Sequence, residues 1–416
     1  MNDKQEGGII NYFRSEFNFI TGNFRLLMVS WFIIDFFAEL PGTYFPFFIK
    51  ALGGSATGVG IVMSAEVLAR ALSQIPGGYI ADKYGRKGII VAMTMLAGIS
   101  RVIFILAPSW QWLVIGSAIM GFTGIYVPAI EAMIADSIPS EKRGMGFGIV
   151  SLIGSVATTP SPLIAGFMYL RLGLLPTMRI SYGLTLVGFI VASLIRLQLR
   201  ETLESPEKLD LREIAGSYPR SVRESLNIWR IVPSKAFSLF MSKILTMFSI
   251  GVLIPVFSLY MVEELGISEF QLSLIMASMF ITMIIFALPT GKLLDTMGKK
   301  RPLLVSYVLW IIAMPLFLYG NFWLLIIAMT IVGVVQVLER SAGSAWTADL
   351  VNNEHRGRVN GSIGFFTLIA FSIGQVTGGW VYDNVSRSMP FYLQILLMIP
   401  PFIFVSRITE EKKSQT

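Results

Sequence analysis

The chain has 416 residues, 54% of them hydrophobic and only 14% charged, with a mean hydropathy of +0.67. Soluble domains run at about 45–50% apolar and about 25% charged, so the composition excludes a soluble globular protein and predicts a polytopic membrane protein. Cysteine is absent and His355 is the one histidine, which excludes disulfides and thiolate metal sites, so no metal and no cofactor is expected.

The first 24 residues are polar and mixed in charge, so no cleavable signal peptide is expected and the first span acts as its own insertion signal. Apolar runs bounded by charge or by Gly/Pro clusters then fall near 26–49, 57–80, 88–107, 110–134, 148–169, 178–198, 236–260, 270–292, 303–319, 322–345, 361–382 and 389–406. The pattern predicts an all-α membrane protein of twelve transmembrane helices. Between the sixth and seventh runs lies one long segment, rich in both signs of charge. The division is therefore an N-terminal six-helix half (1–198), a linker (199–235) and a C-terminal six-helix half (236–416).

Lys and Arg set the orientation. One group of loops holds Lys83, Arg86, Lys87, Lys142, Arg143, Lys292, Lys299, Lys300, Arg301, Arg356 and Arg358, whereas the opposite loops hold only Lys50, Arg171, Arg179 and Arg387. By the positive-inside rule both termini and the linker are cytoplasmic, in a multi-pass protein of the cell membrane. The net charge of +7 is accounted for by these loops, and no nucleic-acid partner is expected.

An internal repeat supports the two halves. GGYIADKYGRK (Gly77 to Lys87) recurs as TGKLLDTMGKK (Thr290 to Lys300), so that Gly78, Asp82 and Gly85 match Gly291, Asp295 and Gly298 at an offset of 291 − 78 = 213. A second segment repeats in the same register, since 349 − 136 (Asp349, Asp136) and 356 − 143 (Arg356, Arg143) are also 213. Parallel halves related by an axis along the membrane normal describe an alternating-access transporter with its site at the midplane.

The stretch Gly78 to Lys87 resembles the signature loop between helices 2 and 3 of the major facilitator superfamily, with Gly291 to Lys300 similar to its weaker second copy, and the resemblance spans nearly the whole chain. It implies the major facilitator fold, function as a monomer, and a conformational latch for the outward-facing state built from Gly78, Asp82, Gly85, Arg86, Asp136, Arg143, Asp295, Asp349 and Arg356. By the same resemblance Arg86 reaches Asp136, and Lys299 or Lys300 reaches Asp349. On physical grounds Gly78 is expected to let helices approach closely and Gly85 to permit a tight turn. Ser161-Pro162-Leu-Ile-Ala165-Gly166 on helix 5 is similar to a signature of drug/proton antiporters, in degenerate form; close packing of small residues explains it equally well, as it does Gly374, Gly378 and Gly379 on helix 11.

Ionisable groups inside spans are costly and mark function by default. At a rise of about 1.5 Å per residue, Asp35 on helix 1 and Arg70 on helix 2 lie about 14–15 Å from the cytoplasmic end, and Glu39, Glu66 and Arg101 about 20 Å from it. Three carboxylates thus face two guanidiniums in the N-terminal half, leaving one acid to bind and release protons. Asp35 and Glu39, spaced i and i+4, are expected to act as a coupled pair; Glu66 and Arg70 share that spacing and suit either a salt bridge or function. In the other half Glu339 and Arg340 lie near the cytoplasmic mouth, where Arg340 and Glu131 of helix 4 are expected to meet across a gate. Lys243 is expected to snorkel.

Together these groups, Asp35, Glu39, Glu66, Arg70, Arg101, Glu131, Glu339 and Arg340, are the candidate proton-coupling and substrate residues. They point to a proton-coupled secondary transporter that exports amphipathic or cationic small molecules by antiport, its partners being substrate, protons and the bilayer. An importer of sugars, organic anions or other nutrients, with Arg70, Arg101 or Arg340 on the substrate, is the second reading; a transporter-like receptor is the third. No nucleophile–base pair or Walker-type loop is present, so neither an enzyme nor an ATP-driven pump is expected.

Overall fold

Hydrocarbon offers the backbone no water to bond, so apolar runs of this length satisfy their N–H and C=O groups internally as helices. The computed structural model describes residues 17–207, 210, 216, 218, 219, 232, 234–350 and 356–409, and within them leaves out the side chains at 75, 140, 144, 147, 234, 235, 288, 295, 348 and 356–358. The latch candidates Asp295 and Arg356 therefore have side chains outside the described residues, and His355 lies outside them altogether.

Among the described residues, twelve helices are long and apolar enough to span a bilayer. They are α1 (Gly22–Ala51), α2 (Ala56–Lys83), α3 (Lys87–Leu106), α4 (Trp110–Asp136), α5 (Gly148–Leu172), α6 (Leu174–Arg196), α7 (Ser234–Glu263), α8 (Glu269–Met297), α9 (Lys300–Tyr319), α10 (Phe322–Leu350), α11 (Arg356–Asn384) and α12 (Met389–Ser406). No strand occurs among the described residues. The expected spans match these helices in number and order, and the helices run past the apolar limits at several ends because a helix does not stop where the hydrocarbon does.

The two six-helix halves meet chiefly through α2 against α11 and α5 against α8. Both crossings depend on small residues. A Cβ on Gly379 would stand 2.3 Å from the carbonyl oxygen of Ala56, one on Gly60 2.3 Å from that of Gln375, and one on Gly166 2.6 Å from Ser273 Oγ. Gly374 and Gly378 press α11 against α7 in the same way, at 2.3 Å from Phe248 O and 1.8 Å from Val252 O. Close packing is thus what the small residues on α5 and α11 do, since backbones can meet at such distances only where no side chain intervenes.

Gly78 departs from expectation. A Cβ there would meet nothing within 4 Å, whereas one on its neighbour Gly77 would stand 2.3 Å from Ile125 O. The close approach of α2 to α4 falls to Gly77, because one step along a helix turns a residue through about 100 degrees.

The Lys50 end of the molecule is tied shut by polar contacts across the halves. Lys50 Nζ bonds Glu263 at 2.5 Å, the backbone N–H groups of Ala56 and Thr57 donate to Asp383 at 3.3 and 2.7 Å, and Tyr44 Oη donates to Glu269 O at 2.7 Å. Tyr169 Oη donates to the Glu269 carboxylate at 3.0 Å, and Ser64 and Ser372 share a hydrogen bond of 2.7 Å deeper in.

Candidate functional site

Helix α1 breaks beside its acids. Pro41 lacks the N–H that would bond Phe37 O, and the helix tightens into a 3₁₀ turn at Gly42–Tyr44. Hydroxyls on neighbouring helices take over the freed carbonyls: Thr185 Oγ1 of α6 donates to Phe37 O at 2.7 Å and Ser161 Oγ of α5 to Phe36 O at 2.9 Å. This is how an irregular backbone survives at membrane depth. It also gives Ser161, which departs from the antiporter signature, a definite task next to Glu39.

Two chambers open along the seam between the halves, and a third adjoins them. The first, about 300 Å³, is apolar: Met63, Phe257, Met276, Met279 and Met329 contribute to its wall, and Glu39 is its one charged lining residue. The second, about 290 Å³, is lined by Trp31, Asp35 and Ser155 of one half and by Phe280, Met283 and Arg340 of the other. The third, about 490 Å³, lies within the C-terminal half and is lined by Lys243, Tyr307, Gln336, Glu339, Arg340 and Asn360 among others. Shared walls join them: Phe280 lines the first and second, Arg340 the second and third, and Gln336 the first and third.

Asp35 and Glu39 therefore face adjoining chambers. Neither makes an ion pair among the described residues, although Asp35 shares a chamber with Arg340. With no ion pair to hold its charge, a carboxylate placed this way is open to a proton or a cation.

The arginines are disposed differently from expectation. Glu66 and Arg70 form an i,i+4 ion pair of 2.5 Å, the structural option for that pair. Arg101 is 8% exposed, with its guanidinium carbon 5.4, 6.0 and 5.6 Å from the ring centres of Phe104, Tyr182 and Phe189. It is enclosed by rings and lines none of the three chambers.

A further guanidinium, Arg196 of α6, escaped the sequence reading. It is 1% exposed, donating from Nε to Ser30 Oγ at 3.0 Å and from Nη1 to Thr94 Oγ1 at 2.6 Å, over the ring of Tyr126. It stands near the end of an apolar run, where boundary charges are common. The signal was weak, only that Ile195 and Leu197 flank it without a break. Arg196 adds a third guanidinium to the two counted in this half, so an excess of acids alone does not explain the helix 1 acids. Enclosure does: Arg101 and Arg196 are held by rings and hydroxyls, out of ion-pair contact with Asp35 and Glu39.

Glu131 is exposed and makes no ion pair with Arg340 among the described residues. Lys243 does not snorkel. Its Nζ donates to Gly343 O at 3.0 Å and to Thr347 Oγ1 at 2.6 Å, both on α10, so acceptors inside the bundle hold it.

At the Asp82 end, Arg86 pairs with Asp136, and Lys299, rather than Lys300, pairs with Asp349. Gly85 adopts φ +93°, which explains a glycine at the turn, and Gly298 matches it at +76°. Arg143 Nε donates to Ala135 O at 3.2 Å. Asp82 has no hydrogen bond or ion pair among the described residues. The two ion pairs each lie within one half and are made while the Lys50 end is shut.

One anchor was not foreseen. Glu201, just beyond α6, accepts backbone N–H bonds from Arg86 (2.9 Å), Lys87 (3.0 Å), Thr202 (2.9 Å) and Leu203 (3.1 Å). Burial works against its charge, but these four donors hold the carboxyl below the usual glutamate range. Thr202 Oγ1 also accepts from Arg86 Nη1 at 2.9 Å.

Comparison with known proteins agrees with this geometry. A family model described as Major Facilitator Superfamily matches residues 27–241 and 239–416. The multidrug resistance protein MdtG of Citrobacter koseri is 24% identical over 380 residues, covering 88% of this chain and 89% of that protein; MdtG of Escherichia fergusonii is 24% identical over 383 residues with the same coverage. Among solved structures, the human organic anion transporter MFSD10 superposes with a TM-score of 0.69 at 18% identity, over 92% of this chain and 100% of that one. The nucleoside transporter NupG superposes with a TM-score of 0.71 at 15% identity, over 92% and 98%. At these identities the structures speak for the fold alone.

Proposed function

Because the chain belongs to the major facilitator superfamily, whose members are multi-pass membrane transporters and not enzymes, we propose that it is a proton-coupled exporter of amphipathic or cationic small molecules, exchanging substrate for protons. One observation carries this reading: the chamber between the halves is walled by methionine and aromatic side chains and holds a single charged group, Glu39. Polarizable, adaptable walls accept varied apolar bodies, and a lone carboxylate selects a positive charge or a proton. The likeness to the two MdtG proteins supports the same choice.

In the cycle we propose, Asp35 and Glu39 take protons from the outer side, the neutralised protein rocks inward, and substrate displaces the protons before the return step. Residues 1–198 and 236–416 are the rocking halves and 199–235 their linker. The Asp82 end, with its excess of Lys and Arg, faces the cytoplasm, as do both termini, in the cell membrane. The closed Lys50 end is then the outer gate, and Glu131 with Arg340 closes the inner mouth in the opposite state. The protein works as a monomer, without a nucleic-acid partner. The importer reading loses two of its three arginines, since Arg70 is paired and Arg101 enclosed.

The test uses protein in liposomes with an imposed pH gradient and a fluorescent lipophilic cation. Wild type should drive the cation against proton flow, and Asp35→Asn or Glu39→Gln should abolish that flux while leaving the protein folded. A folded wild type that moves no cation under the gradient would falsify the proposal.

A further inference from the structure

The chamber inside the C-terminal half has the opposite character to the one around Glu39. Two cations, Lys243 and Arg340, line it against one acid, Glu339, so its charge is net positive even with the acid ionised. No ion pair joins these groups among the described residues. Lys243 spends two of its three N–H donors on Gly343 O and Thr347 Oγ1, and the third is left over. Arg340 has five donors and no partner among the described residues.

One further polar atom in this wall, Thr246 Oγ1, is enclosed without a hydrogen-bond partner, and the Glu339 carboxylate lies beside Trp310 and Ser306. A hydroxyl withdrawn from water without a partner costs free energy, and a bound acceptor that reaches Thr246 Oγ1 recovers it, whereas Glu339, itself an acceptor when ionised, offers an anionic head nothing. Gln336 lines both this chamber and the apolar one, so a ligand can place a polar head in the first and an apolar body in the second.

We propose that this chamber is a second head-group subsite, which receives the carboxylate of anionic amphiphiles on Lys243 and Arg340 while the apolar body lies in the methionine-walled chamber beside Gln336. The inference rests on the transporter reading above and widens it. One apolar chamber serves two polar ends: Glu39 holds cationic heads and Lys243 anionic ones. Charge-assisted bonds to an ammonium or a guanidinium supply the preference.

The test uses one apolar body with three heads: dansylaminoundecanoate, the matching amine and the matching primary amide. Each is titrated by fluorescence against the full chain in phosphatidylcholine nanodiscs, with thermal melts to check folding. The carboxylate should bind about tenfold or more tighter than the amide, and Lys243→Gln should remove that advantage while the amine binds as before. Lys243→Arg should keep the advantage, and Arg340→Gln provides a second loss variant should Lys243→Gln fail to fold. Glu39→Gln should weaken the amine and spare the carboxylate.

The inference is overturned if the carboxylate binds no tighter than the amide, or if its advantage survives in Lys243→Gln and Arg340→Gln alike. It is overturned also if short-chain phosphatidylglycerol displaces the carboxylate more strongly than the free acid does, which would make the occupant a lipid head group. In these cases an amine that still depends on Glu39 leaves the exporter reading standing. An amine indifferent to Glu39 removes that reading instead, whatever the carboxylate does.

Discussion

The loop after α2 and the loop after α8 are copies in sequence, yet they are anchored by opposite means. Each turns on a glycine of positive φ, Gly85 or Gly298, and each sends a cation, Arg86 or Lys299, to an aspartate 50 residues on. In the first copy a carboxylate, Glu201, then settles on the N-terminal N–H groups of α3. In the second a cation leaves the N-terminus of α9: Lys300 Nζ donates to Ser406 O and Ile408 O at 2.6 and 2.7 Å, at the C-terminal end of α12. Both moves obey the helix dipole, an acid at a positive end and a base at a negative one. A repeat fixes the turn and the ion pair it contains, while the anchor comes from whatever chain passes nearby.

The comparison can be broken by substitution, with thermal denaturation in mild detergent as the common measurement. Gly85→Ala should have the largest effect: about 1–3 kcal/mol of backbone strain, with the Glu201 bonds lost besides, because the new Cβ would lie 2.9 Å from Glu201 Oε2. Gly298→Ala should carry the same backbone strain without the loss of the Glu201 bonds. If the two alanines cost the same, Glu201 is not part of the first turn's stability.

Glu201→Gln comes next, at about 1 kcal/mol, kept small because water competes at an exposed site. Its pH dependence has a definite sign. A carboxyl held below its ordinary value of 4.5 stabilises the fold above that value and loses the contribution as pH falls below it. The wild-type melting advantage over Glu201→Gln should therefore be full at neutral pH and shrink below pH about 4.5; an advantage that grows on acidification would contradict the anchor.

Lys300→Ala removes two bonds to carbonyls at a helix end and should cost about 0.5–1 kcal/mol. The smallest pair sharpens the difference between the cations. Arg86 serves both Asp136 and Thr202, so Arg86→Lys should lose about 0.5–1 kcal/mol, whereas Lys299→Arg should stay within about 0.5 kcal/mol of wild type. Equal costs would mean that the Thr202 contact contributes nothing.

The same divide between pattern and placement runs through the candidate site. Asp35 and Glu39 were legible because a carboxylate in a spanning run is conspicuous by its cost. The ion pair of Glu66 with Arg70 was legible as one of two options, since i,i+4 spacing brings such groups together on any helix. Arg196 was not legible, as its partners Ser30 and Thr94 lie 166 and 102 residues away and neutral hydroxyls carry no pattern. The role of Lys243 was misread for a related reason. Whether a long cation snorkels or turns inward depends on which acceptors another helix offers it.

The sequence by itself determined the twelve spans, the repeat in two halves and the acids of helix 1, because hydropathy, chain register and buried charge are local properties or repeat at a fixed offset. The tertiary structure decided which glycine packs, which arginine is enclosed, and which chamber each charge faces. Those outcomes depend on distances between helices remote in the chain, where a rotation of one residue about a helix axis moves a side chain from a neighbour to open space.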